Sequence, residues 1–165
     1  MKSSICNKYC IFRLILCVLI ILWCVLIFCM SSENAQVSGD RSEGVVVRLI
    51  NSLLSIFGID SSNKVLVDSI EVLVRKSAHI SLYFVLSVLT SLFAYTYAIR
   101  FEYRYISVFL FSYFYASSDE IHQLYVPGRS GSIKDVLIDS IGIILGIVFV
   151  RVLYYFYCRY KKTVN

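Results

Sequence analysis

The chain has 165 residues, of which 58% are apolar and only 16% charged, with a formal net charge of +5. Soluble domains average roughly half apolar and a quarter charged, so this balance and a mean hydropathy of +0.74 exclude an ordinary soluble domain and point to the bilayer. The length suits one domain. No basic stripe with interleaved aromatics stands outside an apolar segment, so the positive excess reads as topogenic charge at membrane boundaries, not as a nucleic-acid footprint.

The first apolar run, Ile11 to Met30, has the length of about 20 residues that a helix needs to cross a bilayer. A secretory signal is the alternative, since Met1 to Arg13 resembles a basic leader. The apolar run exceeds the roughly 7–15 residues of such signals and no small-x-small cleavage site follows, so an uncleaved span is expected. Cys6, Cys10, Cys17, Cys24 and Cys29 all precede Ser31, with Cys158 far away. Their spacing matches neither a metal site nor a disulfide framework.

Ser31 to Asp60 is polar, but within it Val45 to Ile59 places Val46, Leu49, Ile50, Leu53, Leu54 and Phe57 at helical spacing, which predicts an amphipathic helix. Val65 to Val74 is a short apolar run interrupted by Asp68 and Glu71, read as a short helix leading into a second span, Ser77 to Ile99. The charged stretch Arg100 to Arg104 is expected as a hinge between antiparallel neighbours. Tyr105 to Ser118 gives only about 21 Å of helix against a core of about 30 Å, so the third span must continue through Asp119–Gln123. Pro127-Gly128 marks a turn. Ser132-x-x-Asp135 has the pattern of a helix start, opening a fourth span from Ile133 to Tyr157 whose last tyrosines, 154, 155 and 157, suit an interfacial belt.

The expected fold is therefore an all-α integral membrane protein: a four-transmembrane-helix bundle with an additional amphipathic helix after the first span. Residues 1–30 form the N-terminal segment and first span, 31–74 an extracytoplasmic, interfacial connection, 75–157 a three-span core and 158–165 a basic cytoplasmic tail. Lys2, Lys8, Arg13, Arg100, Arg104, Arg159, Lys161 and Lys162 group at one side, which predicts that both termini are cytoplasmic.

That topology brings three sets of polar residues to the outer face. Arg75, Lys76, His79 and Tyr83 open span two; Asp119, Glu120, His122 and Gln123 close span three; Arg129 follows in the turn, and Asp135 and Asp139 open span four. Ionisable residues at membrane depth are functional-site candidates by default. Asp135, Asp139, Gly142 and Gly146 share one helical stripe, and Gly142-x-x-x-Gly146 permits the close approach that draws Asp139 inward. Each feature also has a plain structural reading: a hydrogen-bonded histidine, a buried ion pair of Arg129 with Asp119 or Glu120, or a carboxylate (Asp135) favouring a helix dipole. Asp119, His122 and His79 have the residue types of a metal site, but a bare Asp-x-x-His is weak support, so neither a metal nor another cofactor is expected.

The segments Arg75-Lys-Ser-Ala-His79, Asp119-Glu-Ile-His-Gln123 and Pro127-Gly-Arg129 with Lys134-Asp135 and Asp139 resemble the VanZ-like membrane proteins across roughly Val72 to Val150. Departures are Leu82, where members often carry an acidic residue before the tyrosine, and Ser31-Ser32-Glu33 in place of Ser-Ser-Gln. The resemblance implies a part in low-level resistance to teicoplanin-type lipoglycopeptides. Together these readings predict a polar, ligand-binding pocket in the cell membrane, with membrane lipid and a lipoglycopeptide or lipid-linked cell-wall precursor as partners and no nucleic acid. The alternatives are an intramembrane hydrolase acting on a lipid-linked substrate, for which no serine or cysteine nucleophile arrangement is evident, and a structural scaffold.

Overall fold

The computed structural model describes residues 2–32, 64–127, 129 and 131–164. The amphipathic stretch 45–59 and Gly128 of the turn lie outside them. Among the described residues the protein has four helices and no strand: α1 (Lys2–Ser32), α2 (Lys64–Tyr95), α3 (Phe101–Gln123) and α4 (Ile133–Val164).

Three of these contain segments long and apolar enough to cross a membrane: Tyr9–Ser32, Val72–Tyr95 and Ile133–Thr163. Helix α3, at 23 residues, is long enough at about 1.5 Å per residue, but Glu102, Arg104, Asp119 and Glu120 dilute its apolar character. The expectation of four spans thus stands at four helices, three of them apolar enough by their own composition.

Two boundaries differ from expectation. The run at 65–74 is no separate helix but the first turns of α2, because Asp68 and Glu71 interrupt only the apolar pattern and no Gly or Pro interrupts the backbone. The hinge lies at 96–100 instead of 100–104. Thr96 ends α2 by bonding twice to the Phe93 carbonyl, through its backbone N–H at 3.0 Å and its hydroxyl at 2.7 Å. Phe101 to Arg104 then form the first turn of α3, where Glu102 suits the positive end of the helix dipole.

Packing is densest between α2 and α4, a parallel pair held at close range by glycines. A Cβ on Gly142 would run into the Ile80 carbonyl and the Phe84 backbone nitrogen, and one on Gly146 into the Ser87 hydroxyl and Phe84 carbonyl. The core is small: Ile27, Tyr83, Leu86, Ala116, Val136 and Ile143. Large apolar side chains such as Leu14, Leu22, Phe114 and Phe156 point outward, as expected where the surroundings are lipid.

Helix α1 is fastened by polar clasps to backbone carbonyls. Trp23 Nε1 donates to Leu82 O at 2.9 Å and Tyr115 Oη donates to Cys24 O at 2.6 Å. At the other end Arg13 donates to Thr96 O and Oγ1 and stacks 4.1 Å from the Tyr97 ring centroid. Charged hydrogen bonds and a cation–π contact together are worth about 2 kcal/mol. Arg13→Ala is therefore expected to lower the thermal midpoint of detergent-solubilised protein, more than Arg100→Ala, whose side chain is largely exposed; equal melts would disprove the clasp.

Candidate functional site

The part of α2 around Lys76 and His79 and the N-terminal end of α4 meet beside the C-terminal end of α3, and the parallel α2–α4 register sets their polar residues in rungs. Lys76 Nζ lies 3.6 Å from Asp135 Oδ1, and one turn deeper His79 Nδ1 lies 3.8 Å from Asp139 Oδ1. The glycine contacts at Ile80, Phe84 and Ser87 continue the same ladder. The Lys76–Asp135 pair is half exposed and of little energetic weight. Asp139 is different: it is 1% exposed, and its Oδ2 has no hydrogen-bond partner among the described residues.

Helix α3 contributes Asp119, Glu120 and Gln123, all buried. Gln123 Nε2 donates to Asp119 Oδ2 at 3.3 Å, and the fully buried Tyr83 hydroxyl lies beside the same carboxylate. Glu120 Oε2 accepts the backbone N–H of Ser132 at 2.9 Å. In an ordinary capping box the carboxylate three residues after the cap would take that N–H. Here Ser132 Oγ still caps by accepting from Lys134 N at 3.2 Å, but the return bond comes from α3, and Asp135 is left to face Lys76. Gly131 lets this loop pass against α3, since a Cβ there would strike the Glu120 carbonyl.

These groups enclose a cleft of about 160 Å³ lined by Arg75, Lys76, His79, Glu120, Gln123, Arg129, Asp135 and Asp139, with Val72 and Ile138 completing the wall. Asp119 and Tyr83 lie behind it, within the buried core.

One grouping differs from expectation. His122, expected with Asp119 in the polar cluster that closes the third span, turns away from the cleft toward α1. Its Nε2 is 3.0 Å from Ser32 Oγ and its ring stacks on Phe28 at 4.5 Å. Residues three apart on a helix differ in direction by about 60°, enough for Asp119 to face α2 while His122 reaches α1. The set Asp119, His122, His79 is accordingly not brought together. The groups that do meet are His79, Glu120 and Asp139, whose donor atoms lie within 4.8 Å of one another. Arg129 reaches both sides: it lines the cleft and donates through Nη2 to Met30 O at 3.2 Å.

Sequence reasoning missed Arg151. It projects from α4 at the opposite end and stacks 5.0 Å from the Phe101 ring centroid, beside Tyr105, which bonds to Tyr95 at 2.8 Å. A lone arginine in an otherwise apolar run was the available signal.

A fold that is all-helical among the described residues, with three helices long and apolar enough to cross a membrane and a basic–acidic cleft at one end, fits the class of integral membrane proteins. The VanZ/LLP1 family model matches residues 16–154, and the chain belongs to that family. Neither a curated protein nor a solved structure matches it.

Proposed function

We propose that the protein spans the membrane four times with both termini cytoplasmic and contributes to low-level resistance to a teicoplanin-type lipoglycopeptide. In this reading the cleft opens at the outer face and holds the polar head of an amphiphile. Two arrangements support the topology. Asp119 and Glu120 are buried among other helices and not set in lipid, which lowers the cost of a crossing α3. Arg13, Arg104, Arg151 and Arg159 sit at the end away from the cleft, as the positive-inside rule requires of the cytoplasmic side.

The observation that carries the reading is the cleft itself: cations and carboxylates face one small volume bordered by apolar helix surface. Its size sets the ligand. Drug-sized molecules occupy roughly 300–1,000 Å³, so about 160 Å³ admits a headgroup or one anionic substituent, with the remainder lying along the helices.

The test is antibiotic susceptibility with and without the protein. His79→Ala and Glu120→Ala are expected to abolish protection at unchanged membrane levels, while His122→Ala, on the α1 side, retains most of it. Protection that survives both cleft substitutions would defeat the proposal. Cleft variants that disappear from the membrane would instead favour a purely structural scaffold. A second reading, an intramembrane hydrolase on a lipid-linked substrate, is favoured by the approach of His79 to two carboxylates; turnover of lipid-linked precursors by purified protein separates it from binding.

A further inference from the structure

The innermost part of the cleft has the features of a cation site. Asp139 is 1% exposed and lines the cleft, yet its Oδ2 has no hydrogen-bond partner among the described residues and its Oδ1 is 3.8 Å from His79 Nδ1. A direct hydrogen bond would bring those atoms to about 2.7–3.2 Å. A buried carboxylate oxygen left without a hydrogen bond is rare in native proteins and calls for a bound ion or water. Two ligands each about 2.1 Å from a common ion are separated by about 3.0–3.4 Å at octahedral or tetrahedral angles. The 3.8 Å gap exceeds that spacing by well under an ångström, and the 4.8 Å limit that includes Glu120 by up to about 1.8 Å, a closure that side-chain rotation on ion binding can supply. Glu120 is held for such a role by the Ser132 N–H on its Oε2, the kind of outer contact that orients metal-binding carboxylates.

We propose that His79, Glu120 and Asp139 bind a divalent first-row transition-metal ion. One imidazole and two carboxylates match Zn²⁺ or Mn²⁺ in ligand type. A dication would neutralise the two carboxylates at a depth where net charge is costly. Three protein ligands leave coordination positions directed into the cleft, beside Lys76 and Arg129, where an anionic group completes the shell. The inference rests on the cleft assigned above but not on the antibiotic reading.

The experiment uses full-length protein in detergent, stripped with chelator and titrated with Mn²⁺, which the cysteine thiols of α1 bind poorly. The chain has only two histidines, so pulsed electron paramagnetic resonance assigns the imidazole directly. About one Mn²⁺ per chain is expected, with a nitrogen coupling that persists in His122→Gln and vanishes in His79→Gln. Asp139→Asn should weaken binding at least tenfold, and Asp135→Asn by less than threefold. Wild-type protein that binds no Mn²⁺, or shows no nitrogen coupling, overturns the proposal, as does a coupling lost in His122→Gln instead. The wild-type spectrum decides even where a variant fails to fold. Protection assays in cells are independent, so the metal site and the resistance reading fail separately.

Discussion

Asp139→Leu is expected to stabilise the purified, chelator-treated protein and to abolish protection in cells. The wild-type carboxylate is almost completely buried, with one oxygen unpartnered and the other 3.8 Å from His79. Such a group costs desolvation without full compensation, and exchanging buried charges for apolar groups of similar volume gains about 1–4 kcal/mol in favourable cases. Leucine at this position would pack against the same α2 surface. The measurement is a thermal melt in detergent beside a susceptibility assay. A higher midpoint with lost protection means the carboxylate is retained for function at the expense of stability. A lower midpoint with protein missing from the membrane would mean that it fixes the helix register, and the functional reading of the cluster would fall.

Gly142→Leu is expected to prevent assembly of the bundle. The α2–α4 contact is the most extensive among the described helices, and the atoms that a Cβ at 142 would meet are backbone, Ile80 O and Phe84 N. Overpacking a core typically costs about 1–3 kcal/mol when side chains can move aside. Backbone carbonyls of a helix cannot, so the helices must separate. Separation would break the Lys76–Asp135 and His79–Asp139 rungs together. Gly142→Ala should therefore show a lowered melting midpoint, and Gly142→Leu aggregated or absent protein. Gly146→Ala should be milder than Gly142→Ala, because the Ser87 hydroxyl can rotate away and the remaining backbone obstacle, the Phe84 carbonyl at 2.6 Å, is less close than the Ile80 carbonyl is to a Cβ at 142. A wild-type melt for Gly142→Ala would show that the helices do not approach as described.

Much of the architecture was legible in the chain because lipid leaves few options. Backbone groups in hydrocarbon must bond internally, so long apolar runs form helices. Ile11–Met30 and Ile133–Tyr157 identify two of them by hydropathy alone. The start of α4 was readable from Ser132-x-x-Asp135, and the extension of α3 through Gln123 from the length a crossing requires. Where the reading slipped, the signal was apolar pattern and not backbone preference: Asp68 and Glu71 suggested a break before α2 that a helix does not need.

The candidate site divides in the same way. Sequence by itself determined that Lys76, His79, Asp135 and Asp139 would come together, because Lys76 and His79 open the long apolar part of α2 and Asp135 and Asp139 open that of α4. It also placed Gly142 and Gly146 on the Asp139 stripe, since helical periodicity is a local property. Only the tertiary structure decided which groups touch. The parallel register of α2 and α4 paired His79 with Asp139, the Ser132 loop turned Glu120 into the cleft, and α1 took His122 away to Phe28 and Ser32. Those choices depend on helix rotation and on which neighbour fills each side, quantities that no spacing along a single helix contains.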